Sequence, residues 1–124
     1  MSNMKKQLLN IKHVPKAWGY ERWIVNKPEY CGKLLKLSEG KYTSWHFHKL
    51  KDEVLFLYSG TLVVLASEND DISNAEEVVM KPGDAFHVYR GLRHRIIAKE
   101  DSELFEFSTQ HFDHDSHRLL QGSD

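Results

Sequence analysis

What most limits the folds open to this chain is its punctuation. Beyond Leu9, apolar residues come in short alternating runs, each soon closed by turn-forming residues. "YERWIVN" stops at Asn-Lys-Pro and "YCGKLLKLSEG" at Ser-Glu-Gly. "VVMKPGDAFHVYRGLRHRIIAKEDSELFEFST" is broken at Pro-Gly-Asp, Arg-Gly-Leu and Lys-Glu-Asp. Strand side chains alternate faces with a period of two, and runs of this length between turns match strands. No stretch of ten or more residues carries the apolar periodicity of an amphipathic helix. The expectation is an all-β sandwich or barrel of antiparallel strands with little helix. "VLFLYSGTLVVLAS" reads as two strands joined in a hairpin at Ser59-Gly60. The acidic "ENDDISNAEE" (68–77) reads as a long exposed hairpin loop, its relation to any cavity left open. Residues 4–12 are a helical turn or an extra edge strand, and "QHFDHDSHRLLQGSD" is a tail that folds back over the barrel or frays.

At 124 residues one domain is expected, with 1–15 as an extension, 16–110 as the barrel and 111–124 as the tail. Seventeen basic residues stand against 18 acidic ones, mixed along the chain. That leaves no basic stripe for nucleic acid. No apolar run reaches the length of a membrane span, and the start lacks the apolar region of a signal peptide. One cysteine, Cys31, allows no intrachain disulfide, and reads as a packed strand residue in a cytoplasmic protein.

The chemistry concentrates in "SWHFHKLKDEVLFLYSG" (44–60). On a strand, His46 and His48 share a face, roughly 6 to 7 Å apart. Tyr42 and Ser44 share that parity, while Trp45 and Phe47 take the other face. Glu53 follows a four-residue corner and returns toward the imidazoles. Two nitrogen donors and a carboxylate suit one divalent transition metal: Mn, Zn, Fe, Ni or Co. Farther on, "KPGDAFHVYRGLRHRI" offers His94 behind Gly91 as a fourth donor. The alternative is a solvated strand face with surface histidines.

Gly40 to Gly60 reads Gly, five residues, His, one, His, four, Glu, six, Gly. This resembles the first motif of the cupin superfamily at every position. Pro82-Gly83-Asp84 through His94 resembles the second, with Ala98 where its usual closing Asn would stand. The resemblance implies a small single-domain jelly-roll barrel with His46, His48, Glu53 and His94 converging on one metal. The flanks, "WGYE" near the start and Asp115 to Arg118 near the end, resemble one branch. That branch comprises the cupin domains of mannose-6-phosphate isomerase/mannose-1-phosphate guanylyltransferases and related small cupins. The guanylyltransferase half is missing here, and His46 stands where the isomerase domains often carry glutamine. Small cupins usually pair through edge strands, so the resemblance also implies a homodimer with residues 1–30 in the contact.

An isomerase needs a base to move a proton beside a metal-polarised carbonyl. His87 and Glu106 are the strand candidates. His87 points either into the cavity or to solvent. Glu106, between Phe105 and Phe107, reads first as an exposed strand carboxylate. A substrate phosphate would draw on Arg90, Arg93 and Arg95 around Gly91, or on Lys33 and Lys36; Tyr42, Arg90 and Lys36 are the substrate-binding candidates. The His111, His114, His117 series reads as a solvated tail, and the aromatic residues mainly as core. Three functions compete: a metal-dependent sugar or sugar-phosphate isomerase, an Fe(II)-dependent dioxygenase, and a non-catalytic carbohydrate-binding module accessory to polysaccharide synthesis.

Overall fold

The computed structural model describes residues 7–124. Its strands are β1 (Lys12–Lys16), β2 (Gly19–Lys27), β3 (Tyr30–Leu37), β4 (Trp45–Phe47), β5 (Glu53–Ser59), β6 (Leu62–Ser67), β7 (Glu76–Met80), β8 (Ala85–Val88), β9 (Arg93–Ala98), β10 (Ser102–Ser108) and β11 (His117–Leu120). They form a six-stranded sheet in the order β1-β2-β3-β10-β5-β8 and a five-stranded sheet in the order β11-β4-β9-β6-β7. Every pairing is antiparallel. The all-β expectation therefore holds, with short 3-10 turns at Ile72–Asn74 and Asp113–Asp115. Residues 8–11 carry neither helix nor strand, and the edge strand begins at Lys12. Residues 4–6 lie outside the described residues.

The hairpin expected at Ser59-Gly60 is a corner instead. β5 pairs with β10 and β8, whereas β6 pairs with β9 and β7, so the chain changes sheet there. Gly60 makes this possible at φ +95°, and a side chain on it would run into Ser102 Oγ and the Asp101 carbonyl. The hairpin expected across 68–77 does form, between β6 and β7. Its loop sits outside the barrel, where the Asp70 carbonyl accepts the Trp45 indole N–H at 2.8 Å.

Inward residues of both sheets meet in an apolar core that includes Leu35, Leu37, Leu55, Leu57, Leu62, Val64, Met80, Ile96 and Leu104. Each fully buried leucine contributes about 1.5–3 kcal/mol relative to exposure. Strands extend on both sides of the expected 16–110 span, because β1 begins at Lys12 on the edge of the first sheet and β11 adds to the second beside β4. Beyond β11 the chain lies flush against the segment entering β4: a Cβ on Gly122 would stand 2.7 Å from Thr43 C and Ser44 N. Ser123 secures it, its N–H donating to the Tyr42 carbonyl at 3.0 Å and its Oγ accepting the Tyr42 N–H at 2.8 Å. The tail thus folds back over the barrel.

Candidate metal centre

β4 and β9 are neighbours, and their single register pair is His46 opposite His94. His48 follows two residues after His46 at the strand's exit, so all three imidazoles enter the same end of the barrel. Their ligating nitrogens lie within 4.8 Å of one another. Each ring is turned by a backbone carbonyl at Nδ1: Ser44 O at 2.9 Å from His46, Asp115 O at 3.1 Å from His48, and Leu92 O at 3.0 Å from His94. A carbonyl only accepts, so each Nδ1 carries the proton and each Nε2 keeps its lone pair free. Carbonyl-oriented imidazoles of this kind are what metal ligation requires. Burial also keeps the rings neutral. It lowers His48 to about 3, with Lys51 adding to the effect, and His94 to about 4; His46 falls well below its ordinary range through burial and the other two rings.

Glu53, at the first position of β5, faces these nitrogens. Its two oxygens lie 3.8 Å from His48 Nε2 and 3.7 Å from His94 Nε2. Oε2 is fully buried without a hydrogen bond, although Lys51 Nζ is 3.1 Å away. An unsatisfied buried carboxylate oxygen beside three free imidazole nitrogens is a donor set with a place for a cation, and the residues present fit a divalent transition metal. Burial and the Glu106 charge raise the Glu53 pKa, although Lys51 pulls it down.

Behind the cluster lies a buried ionic network. Lys51 Nζ donates to Glu106 Oε2 at 2.9 Å and lies 3.2 Å from His111 Nδ1. Burial disfavours the Lys51 ammonium, but Glu106 and Glu53 outweigh it and hold its pKa up. Burial likewise opposes the Glu106 carboxylate, yet Lys51 and Lys33 keep it ionised. Asp115 fixes the corner that carries Lys51: its carboxylate accepts the N–H groups of Lys49, Leu50 and Lys51 at 2.9, 3.0 and 3.0 Å. The histidines and this network line one cavity of about 830 Å³, walled also by Trp18, Trp23 and Leu35.

The structure brings His46, His48, Glu53, His94 and Glu106 together. Glu106 is buried rather than exposed, because the inward positions of β10 are Ser102, Leu104 and Glu106, while Phe105 and Phe107 face outward. His87 does not line the cavity; it is exposed on β8 and pairs with Asp52 at 2.8 Å. Lys36 falls on the outer parity of β3, whose inward positions are Cys31, Lys33, Leu35 and Leu37. Arg90 is exposed and donates to the Leu50 carbonyl at 2.8 Å. Tyr42 sits outside the cavity beneath the Arg95 guanidinium, 4.6 Å away, because β4 begins only at Trp45 and strand parity does not carry back to residue 42. Sequence reasoning missed Lys51, which stands in the corner before β5 and is buried there. It also assigned His111 to solvent, where the structure has it against Lys51.

A family model described as a cupin domain matches residues 33–107. The tetracenomycin polyketide synthase protein TcmJ of Streptomyces glaucescens is 37% identical over 62 residues, which cover 50% of this chain and 37% of TcmJ. The capsular polysaccharide assembling protein CapF from Staphylococcus aureus superposes with a TM-score of 0.79 at 16% identity, covering 94% of this chain and 34% of that one. Oxalate decarboxylase of Bacillus subtilis, a protein with Mn(II) centres, superposes at 0.77 and 18% identity, covering 89% and 30%. The chain thus spans about a third of the length of each of these proteins.

Proposed function

The chain belongs to the cupin domain family, and from that premise we propose that it is a metal-dependent isomerase of a small sugar or sugar phosphate. The observation that carries this reading is one cavity holding both a three-histidine cluster and an ionised carboxylate, Glu106, clamped by Lys51. A divalent transition metal, when bound, polarises a carbonyl and orients the adjacent hydroxyl. His46, His48 and His94 would hold it through Nε2, with Glu53 completing the set. Glu53 is then occupied as a ligand, which leaves Glu106 to take the proton from the carbon beside the carbonyl and return it to the former carbonyl carbon, while the adjacent hydroxyl's proton passes to the carbonyl oxygen. Lys51 keeps Glu106 charged and aimed, and Trp18 and Trp23 shield the reacting carbons from water. The cavity volume suits one small molecule.

CapF's capsular polysaccharide and the Mn(II) centres of oxalate decarboxylase are in keeping with this reading, which rests on the cavity's own residues. Edge strand β1 has a strand on one side only among the described residues, which supports a homodimer of this cytoplasmic protein. A second reading comes from TcmJ: proton removal beside a carbonyl would serve a polyketone as well as a sugar. The test is a panel of aldoses, ketoses, their phosphates and a polyketone, with each candidate metal, in air and without oxygen. Oxygen-independent sugar interconversion is the expected result. Turnover of the polyketone alone would favour the second reading, substrate-linked oxygen uptake a dioxygenase, and tight sugar binding without turnover an accessory module.

A further inference from the structure

Lys33 helps keep Glu106 ionised, but its own donors are unaccounted for. It stands at an inward position in the middle of β3 and is only 2% exposed, yet no described residue makes a hydrogen bond to its ammonium. The nearest carboxylate oxygen, Glu21 Oε1, is 3.8 Å away and already accepts the Trp23 indole N–H at 2.7 Å. Glu106, opposite Lys33 in the β3–β10 register, spends Oε2 on Lys51 at 2.9 Å and Ser108 at 3.1 Å. What Lys33 does have is the face of Trp23, 4.1 Å from Nζ to the ring centroid. A cation–π contact compensates charge but consumes none of the ammonium's three N–H donors. Lys33 lines the cavity, so these N–H groups are open to an acceptor that enters it.

From this we infer that Lys33 anchors an anionic group, so that the site takes a small carbonyl compound bearing a phosphate or carboxylate in preference to a neutral sugar. The carbonyl end rests on the proposed function; the anion end rests on Lys33 itself. Two strand spacings separate β3 from β5, the strand of Glu53, or about 10 Å across the sheet. An anion at Lys33 and a carbonyl at the histidines are therefore opposite ends of one short molecule. Lys12, 4.5 Å from the same Trp23 ring, adds positive charge at the cavity wall.

Calorimetric titration of the full chain, metal-free and metal-loaded, with fructose 6-phosphate, gluconate and fructose tests this. One of the two anions should bind at least about 10-fold more tightly than fructose, the worth of a charge-assisted hydrogen bond. Which anion binds identifies phosphate or carboxylate. Lys33→Met should erase the preference while leaving metal stoichiometry intact, and Lys33→Arg should retain part of it. The ranking of the three probes by the unaltered protein needs no variant. The inference is overturned if no anion outbinds fructose, if none of the three binds, or if the preference survives in Lys33→Met. Anion preference without turnover would sink the isomerase reading alone. Fructose turnover undiminished in Lys33→Met, with no anion preference in the unaltered protein, would sink this inference and leave the isomerase standing.

Discussion

The two ends of the barrel interior are built from the same strands and do opposite work. Along β3 the inward series runs Lys33, Leu35, Leu37; along β5 it runs Glu53, Leu55, Leu57; along β9 it runs His94, Ile96, Ala98. β10, antiparallel to β3 and β5, reads Ser102, Leu104, Glu106. β3, β5 and β9 thus give apolar side chains to one end and an ionisable group to the other, while β10 brings Glu106 to the ionic end and Ser102 to the other. The apolar end gains free energy from burial. The ionic end spends some of it, because desolvating Lys51, Glu53 and Glu106 is repaid only in part by their mutual attraction. A fold that tolerates such a cluster is held elsewhere, which frees the ionic end for chemistry.

Substitutions at the two ends should separate accordingly. The largest effect expected is that of Glu106→Gln, which should lower turnover by roughly 10²–10⁴-fold with metal still bound; steady-state rates alongside elemental analysis would check it. Equal loss of metal and rate would instead mark Glu106 as support for the ligands. Leu57→Ala, wholly buried at the other end, should cost about 2–5 kcal/mol in denaturant unfolding and leave metal per folded molecule unchanged.

Acid should act on the ionic end first. The unfolded chain protonates its histidines near 6.5, whereas His94 and His48 resist to about 4 and 3 and His46 well below 6.5. The stability of the metal-free protein is therefore full above about pH 6.5 and falls as pH drops toward those values. Glu53 opposes this, its folded carboxyl keeping a proton to higher pH than the unfolded one. Three histidines against one glutamate leave the fall in place, so Tm should be lower at pH 5 than at pH 7. A Tm indifferent to pH in that range would mean the ionic end contributes nothing to acid sensitivity.

Smaller still, Asp115→Ala removes the three backbone hydrogen bonds of the 49–51 corner and should weaken metal affinity about 10–100-fold, measurable by competition with a chelator. The smallest effect belongs to His87→Ala on the exposed face of β8. It should stay within about 0.5 kcal/mol in stability and leave turnover unchanged; a large rate loss would reinstate it as the base.

Much of this interior was legible in the sequence, and the failures share a cause. Strand parity and a short corner brought His46, His48 and Glu53 together, and the resemblance to the cupin motifs implied that His94 joins them. The same parity, carried through, puts Lys33 and Lys36 on opposite faces of β3. Glu106 was misread because its phenylalanine neighbours suggested that the other face was the core. In a central strand of this sheet the aromatic face is the outer one, with Phe107 56% exposed and Phe105 edge-on to Tyr58. Tyr42 was misread because parity was extended across a segment that is not strand. Asp115 stood out only within the resemblance and His111 not at all; their roles exist only once the chain beyond β10 docks back onto the 48–51 corner.

That docking has a consequence for when the site comes into being. His48 and the 49–51 corner are made early, but the carbonyl that turns the His48 ring and the carboxylate that fixes the corner both belong to Asp115. Sixty-four residues separate Lys51 from Asp115. At a synthesis rate of about 5–20 residues per second, that interval lasts roughly 3–13 s. A nascent chain therefore displays His48 before the carbonyl that orients its ring exists, while His46 and His94 carry their orienting carbonyls two residues away, and the ordered ligand set waits for Asp115.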